Sequence, residues 1–511
     1  MKKQSLVVGA LTMALCFGSV TQTMAEDNHK KDMITVAWPE SISTLSPYQS
    51  PGLSFEATGD EVYEGLGVYD SEFVFHKVMA KDITQLDTDG YEFEITIYDY
   101  IHDHEGNPIT ADDVIFSFET LKAAGTASQH LSKIDVIEKS GDYSVIIKLT
   151  DNGYGVLEQA LWKTRIVSQK AFEETGDEMA THAVGTGPYK VTDFMSGSYL
   201  VTEAVDDYWQ TDEALRGPYA MQNVDVIKKI ICTENSQKEA SLESGTVDLV
   251  YNIDSSSTFQ FEGNSDIVSY SYNSNNPYSL FASADGPLQD EKLRKAVWYA
   301  IDAQGIIDGA WDGFGELTTH ALWYTSDYNT EWEKEDYFSY DPDYARELVK
   351  EAGAEGTHIR ILSNEGYSTV SEFIQFYLND VGFDAEIINE EPAAYLKDFL
   401  DPTAYDLCIR EVGLATTIQM WRFIYDQANY NGKTYGGFVD DNLQTMLMNT
   451  CIPKNHTEEN MNELFNYLLD KAYTYTFAVK EQVNMWRTDS GIKEVVRNSQ
   501  SAPMCNCFIY E

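Results

Sequence analysis

Hydrophobic positions along this chain change period several times, and the changes outline its elements. Leu293, Ala296, Val297, Ala300 and Ile301 stand at helical offsets behind Asp290, which predicts a packed amphipathic helix with an aspartate cap. Ala345, Leu348, Val349 and Ala352 repeat the pattern after Asp341-Pro342, and Gly353 ends it. Val114, Phe118 and Leu121 follow Thr110 with Asp113 in the capping-box position, and Met461, Leu464, Phe465 and Leu468 follow Thr457. Between these lie β-branched and aromatic runs that predict strands: 33–38, 91–98, 143–149, 227–232, 247–251, 358–362, 383–388, 405–409 and 474–486. The stretch Val62 to Leu66 is taken as a short helical segment, and Val268 to Phe281 shows no helical period.

The order strand, helix, strand recurs at 227–251 and again at 358–409. It predicts α/β crossovers and a mostly parallel sheet. Mid-chain, Gly185-Thr-Gly-Pro-Tyr189 predicts a rigid turn. Gly185 and Gly187 are expected to supply backbone angles closed to other residues, and Pro188 fixes its own φ. Tyr189–Phe194 and Tyr199–Val205 then form a hairpin about Ser196-Gly197, closed by Tyr208-Trp209.

At 511 residues the chain exceeds what one core supports, so two or three domains are expected. Its 83 acidic against 35 basic residues give a net charge of −48, which repels phosphate backbones and anionic lipid and excludes nucleic-acid binding. Residues 1–25 have the build of a cleaved signal peptide: Lys2-Lys3, an apolar run from Leu6 to Phe17, then Thr23-Met24-Ala25. Leu15 is too large for a lipobox, so no lipid anchor is expected at Cys16, and no later apolar run reaches bilayer length. Cleavage leaves Cys232, Cys408, Cys451, Cys505 and Cys507, an odd number, so at least one is free or intermolecular. Cys505-Asn-Cys507 has no second pair at zinc spacing, and His102-Asp-His104-Glu-Gly106 is a turn sequence, so neither metal nor cofactor is expected. No nucleophile elbow, zinc-protease helix or phosphate loop occurs, and no catalytic residue is assigned. The 33 tyrosines and 9 tryptophans instead suit a cleft for amphipathic small molecules.

The run from Gly185 to Trp209 resembles the signature of the extracytoplasmic solute-binding proteins that serve oligopeptide and dipeptide ABC importers. Further family segments recur in order: Tyr63-Glu64-Gly65-Leu66, Ile109 to Val114, Leu293 to Ala296, Ala300-Ile301-Asp302, and Asp341 to Gly353. The resemblance implies an α/β, two-lobed fold of the periplasmic-binding-protein kind (type II, large peptide-binding subclass) with an extra inserted subdomain. Lobe I would comprise 26–55, 184–279 and 481–511, the insert 56–183, and lobe II 280–480. It also implies a non-enzymatic, monomeric protein, in the periplasm or at the outer face of the cell membrane. Such a protein captures a peptide or similar small solute and delivers it to ABC permease subunits.

In peptide-binding relatives one segment from each lobe holds the ligand. The matching segments are Pro51-Gly52-Leu53 and Glu411-Val412-Gly413, with Trp162, Tyr272 and Trp421 as walls. The family's Gly-Trp pair is replaced here by Glu411-Val412, and Ala415 stands where an aspartate pairs with the ligand's amino group, so Glu411 becomes the candidate anion. The alternatives are an oligosaccharide or metal chelate as cargo on the same fold and, from another class, a secreted hydrolase.

Overall fold

A computed structural model describes residues 31–49, 56–125, 131–318, 337–413 and 416–511. One mixed sheet of eleven strands runs through them. At one end Lys31–Trp38 pairs in parallel with Val224–Ile231 and with Leu249–Ile253, and the hairpin of Tyr189–Met195 and Tyr199–Ala204 extends that edge. At the other end His358–Asn364 lies between Asp384–Glu390 and Leu407–Glu411, all parallel. The α/β crossovers expected from the strand, helix, strand order are thus present in both halves.

Two long antiparallel strands, Ile267–Ala282 and Thr474–Arg487, join the halves. Leu249–Ile253 pairs with one end of Thr474–Arg487, and Leu407–Glu411 with the far end of Ile267–Ala282. Register slips between Asn273 and Pro277, midway along the pairing. A slip there bends and twists the ribbon where it passes from one half to the other.

Apolar side chains gather in two large cores. One holds residues from Tyr278 to Ala478, including the fully buried Trp298, Trp421 and Tyr405. The other holds Ile34 to Tyr251 together with Trp486 to Tyr510, including Trp38, Tyr63 and Tyr189. The four-stranded antiparallel sheet of residues 80–149 and the helix Ala111–Ala124 share this second core, through Ile95, Val145 and Phe118.

The capped helices form as the periodicity requires. Asp290 accepts from the Lys292 N–H at 2.8 Å, Asp341 from Tyr344 at 2.9 Å, and Thr457 from Asn460 at 3.3 Å. Asp113 accepts from both the backbone N–H and the hydroxyl of Thr110 at 2.8 Å. Each is a local satisfaction of an orphan helix donor.

Three expectations are corrected. The large sheet is not mostly parallel: the α/β crossovers give parallel pairs at its two ends, but the hairpin at one edge and the two long strands that join the halves pair antiparallel, and these antiparallel pairings outnumber the parallel ones among the described residues. Val62 to Leu66 is not helical, because its backbone is taken up by distant partners: Val62 C=O accepts from Gly187 N–H (3.0 Å), Glu64 C=O from Ile166 N–H (2.9 Å), and Leu66 N–H donates to Leu161 C=O (3.1 Å). Gly185 and Gly187 do not adopt left-handed angles. They supply room instead: a Cβ on Gly185 would overlap the Val62 carbonyl, and one on Gly187 the Glu61 carbonyl.

Candidate solute-binding site

The chain leaves His358–Asn364 for Asp384–Glu390 on one side, then crosses back to Leu407–Glu411 on the other. Connections that diverge from neighbouring parallel strands open a crevice at the strands' carboxyl ends. A cavity of about 530 Å³ lies there. Asn364 ends the first strand and Tyr367 follows it, Pro392, Tyr395 and Leu396 follow the second, and Arg410 and Glu411 end the third with Val412 and Gly413 just beyond; Asn276 of the long strand and Phe423 complete the wall.

Hydrogen bonds fix the end of the third strand. The Tyr395 hydroxyl donates to the Ile409 carbonyl at 2.6 Å, the Glu411 N–H donates to the Tyr367 hydroxyl at 3.3 Å, and the Val412 N–H to the Pro277 carbonyl at 3.2 Å. Asn364 turns its carboxamide oxygen to the Gly366 N–H at 2.8 Å, which shapes the turn carrying Tyr367. Tyr367 packs edge-on to Tyr278 with centroids 5.8 Å apart.

Arg410 and Glu411 bring charge into this wall. The guanidinium of Arg410 rests over Phe399 at 4.1 Å and Phe423 at 5.8 Å, yet its buried Nη1 has no hydrogen-bond partner among the described residues. Burial pushes the Glu411 carboxyl up to about 7, and Lys480 on the neighbouring long strand opposes the shift.

Of the residues picked out by sequence, Glu411, Val412 and Gly413 meet in the cavity. The other three described candidates do not line it. Trp421 is fully buried in the helix Thr417–Tyr425, two residues from the cavity-lining Phe423. Tyr272 lies on the long strand, donates to Asn484 at 3.3 Å, and carries the Arg497 guanidinium over its ring at 3.9 Å. Trp162 packs in the other core between Tyr69, at 5.3 Å, and the Lys163 ammonium, at 3.6 Å. Pro51, Gly52, Leu53 and Ala415, like the signal segment with Cys16, lie outside the described residues.

Sequence reasoning missed Arg410, Tyr367, Tyr395 and Phe423. The usable signal was the strand-helix-strand order itself, since it places a crevice at the carboxyl ends of these strands.

On the other core, Glu56 directly follows the 50–55 segment and accepts from Asn498 Nδ2 at 2.6 Å. Burial raises its pKa, and the nearby Lys163, itself lowered to about 8 by burial, opposes the rise. Among the described residues no group of three His, Cys, Asp or Glu side chains is placed to hold a metal. No described helix is long and apolar enough to cross a membrane. The five described cysteines are all buried, and no two of them are joined in a disulfide.

Comparison with known proteins agrees with this geometry. Residues 75–434 match the family described as bacterial extracellular solute-binding proteins, family 5 Middle. The chain is 25% identical over 385 residues to the glutathione-binding protein GsiB of Shigella dysenteriae serotype 1, which covers 73% of this chain and 72% of that protein. HbpA2 from Haemophilus parasuis superposes with a TM-score of 0.80 at 18% identity, over 94% of this chain and 100% of that one. The ABC transporter-associated periplasmic binding protein DppA from Helicobacter pylori, in complex with the peptide STSA, gives 0.73 at 19% identity, over 94% and 98%. With its two cores joined by crossing strands and a cavity at the strand ends, the chain belongs to the bacterial extracellular solute-binding proteins of family 5.

Proposed function

We propose that this chain is the solute receptor of an ABC importer and that its cargo is a peptide or similar small solute. The observation that carries the reading is an open cavity of about 530 Å³ beside the two long strands, at the carboxyl ends of the parallel strands, with the charged Arg410 and Glu411 and the aromatic Tyr367, Tyr395 and Phe423 in its wall. A concave wall of aromatic side chains with a few charged groups suits a small amphipathic solute that carries polar or charged groups of its own. The glutathione and peptide cargoes of GsiB and DppA support a peptide-like solute.

In this reading lobe I is 26–55, 184–279 and 481–511, lobe II is 280–480, and 56–183 is inserted. The lobes turn about Ile267–Ala282 and Thr474–Arg487, and the closed form is what the permease subunits engage. The mature protein starts at Glu26, acts as a monomer outside the cytoplasm, and carries no lipid on Cys16.

Native mass spectrometry of the freshly purified mature protein tests the reading. A co-purifying peptide-like mass, released intact on denaturation, is expected. An oligosaccharide or metal-chelate mass replaces the cargo, and a solute recovered cleaved after incubation points to a hydrolase.

A further inference from the structure

The helix Pro392–Asp398 borders the cavity, and Pro392, Tyr395 and Leu396 stand at helical offsets 0, 3 and 4 within its lining. Tyr395 is buried, with its hydroxyl spent on the Ile409 carbonyl. Leu396 is not: it is 54% exposed, and Leu400, four residues further, is 55% exposed. Phe399, at the helix end, keeps helical angles of φ −62° and ψ −27°, and the Leu400 N–H bonds back to the Lys397 carbonyl at 3.3 Å. The turn therefore continues and carries Leu400 about 6 Å beyond Leu396 on the same side.

A single exposed leucine is ordinary on a protein surface. This one stands in a cavity wall, next to a run of rings. Tyr367 lies 6.0 Å from Tyr395, Tyr395 stacks on Phe399 at 6.2 Å, and the Arg410 guanidinium bridges Phe399 at 4.1 Å and Phe423 at 5.8 Å. Every lining residue from the helix is apolar or aromatic, whereas Asn276, Asn364, Arg410 and Glu411 enter from the strands.

We propose that the stripe Pro392, Leu396 and Leu400 is a subsite for an apolar side chain of the captured solute, so that the protein selects its cargo by an apolar group. The proposal rests on the solute-capture reading and sharpens its substrate class. The occupant is the solute because the stripe begins inside the solute cavity: Pro392 and Leu396 line it, and Leu400 follows one turn on. A long apolar group running out of the cavity along the helix removes both leucines from water, and burial on that scale raises affinity about 10-fold or more.

Titration calorimetry at several temperatures tests it, on the mature protein after exhaustive dialysis. The probes are trialanine and three variants of it, each with 2-aminodecanoic acid, an eight-carbon side chain, at one of the three positions. The best of the three should bind about 10-fold or more tightly than trialanine, with a more negative heat-capacity change. Leu396→Asn combined with Leu400→Asn should cut that ratio to about 2-fold, because both side chains are more than half exposed and the fold does not depend on them. Equal affinity for trialanine and all three variants overturns the subsite, and that wild-type result stands whether or not the double variant folds. A preference that a well-folded double variant keeps overturns it too, and in neither case is the capture reading affected. Self-association of the wild type in sedimentation, absent from the double variant, assigns the stripe to a second copy of the chain and likewise overturns the proposal. If no peptide binds, the subsite falls as well, and the capture reading is decided separately by the mass of the co-purifying solute.

Discussion

Arg422, on the helix that follows the cavity wall, reaches out of one core to the carboxylate of Asp151 on the other. Its Nη1 lies 3.1 Å from Asp151 Oδ1, Nη2 closes on Oδ2, and Asp426 holds Nη2 from behind at 3.3 Å. Gln159 donates to Gln419 at 3.1 Å, and Tyr154 stacks on His456 at 4.2 Å, so the same two surfaces meet at three points. Because Phe423 lines the cavity and Arg422 precedes it, opening the two halves requires breaking a pair that is only 10% and 14% exposed. Removing one member of a largely desolvated pair costs about 3 kcal/mol. Asp151→Ala is therefore expected to lower the melting temperature and to raise the radius of gyration of the ligand-free protein in small-angle scattering. Asp151→Ala with Arg422→Ala should cost less than the sum of the single changes. Superimposable scattering profiles for wild type and Asp151→Ala would show that the pair does not hold the halves together.

Glycines at the mid-chain turn make a different prediction from glycines elsewhere. At Gly187 a methyl group meets the Glu61 carbonyl, which cannot move away because it already accepts from the Tyr189 N–H at 2.9 Å. Gly187→Ala should lose about 3 kcal/mol or more, the scale of overpacking against a fixed backbone. Gly106, in the left-handed region at φ 81° with nothing within 4 Å of a built Cβ, should lose only about 1 kcal/mol on the same change. Urea denaturation of the two variants compares them directly, and equal losses would refute the close-approach explanation.

Glu61 also carries a buried ion pair. Its Oε1 accepts from Lys229 Nζ at 2.5 Å, and the same ammonium donates to the Ala57 carbonyl at 2.6 Å. With side-chain exposures of 3% and 4%, neither charge has water to fall back on. Lys229→Met should destabilise the protein by about 3–5 kcal/mol, and adding Glu61→Gln should restore part of the loss by removing the stranded charge. Chemical denaturation checks both, and a double variant no more stable than Lys229→Met would contradict the stranded-charge account.

What could be recognised from sequence follows from how far apart the partners are. Leu293 and Ala296, or Thr110 and Asp113, act within a turn of each other, and both helices are present. Arg410 carries no such local mark: it matters because Ile361 pairs with Leu407 and Ile409 with Leu280, pairings that place the strand's end at the cavity. The role of Gly187 was misjudged for the same reason, since its constraint is a carbonyl far upstream. The strand Ile267–Ala282 was hidden because Asn273 to Asn276 interrupt its apolar alternation where it passes between cores. Glu411, Val412 and Gly413 came from family resemblance, and the three meet in one wall.

His104 provides a test in pH. Gly185 N–H donates to its Nδ1 at 3.3 Å, and Nε2 faces the Gly187 carbonyl at 2.9 Å, so a neutral ring protonated at Nε2 satisfies both sides of the turn. Burial pushes its pKa down to about 4; the Gly187 carbonyl and Asp103 oppose the shift, and Lys190 and His102 add to it. The unfolded chain takes up this proton near pH 6.5, so between about 4 and 6.5 it binds more protons than the folded state. The contribution is thus complete above about pH 6.5 and shrinks as pH falls, by up to about 3 kcal/mol. Glu64 works in the opposite direction: burial raises its carboxyl to about 7 against the hydrogen bonds from Tyr208 and Trp209, so its ionisation lowers stability as pH rises. The two effects overlap, and only a difference measurement separates them. The urea midpoint of the wild type minus that of His104→Gln should fall steadily from about pH 7 to about pH 4.5, whereas the Glu64 contribution, common to both proteins, cancels. A difference that stays constant across that range would mean the ring is not held neutral by the turn.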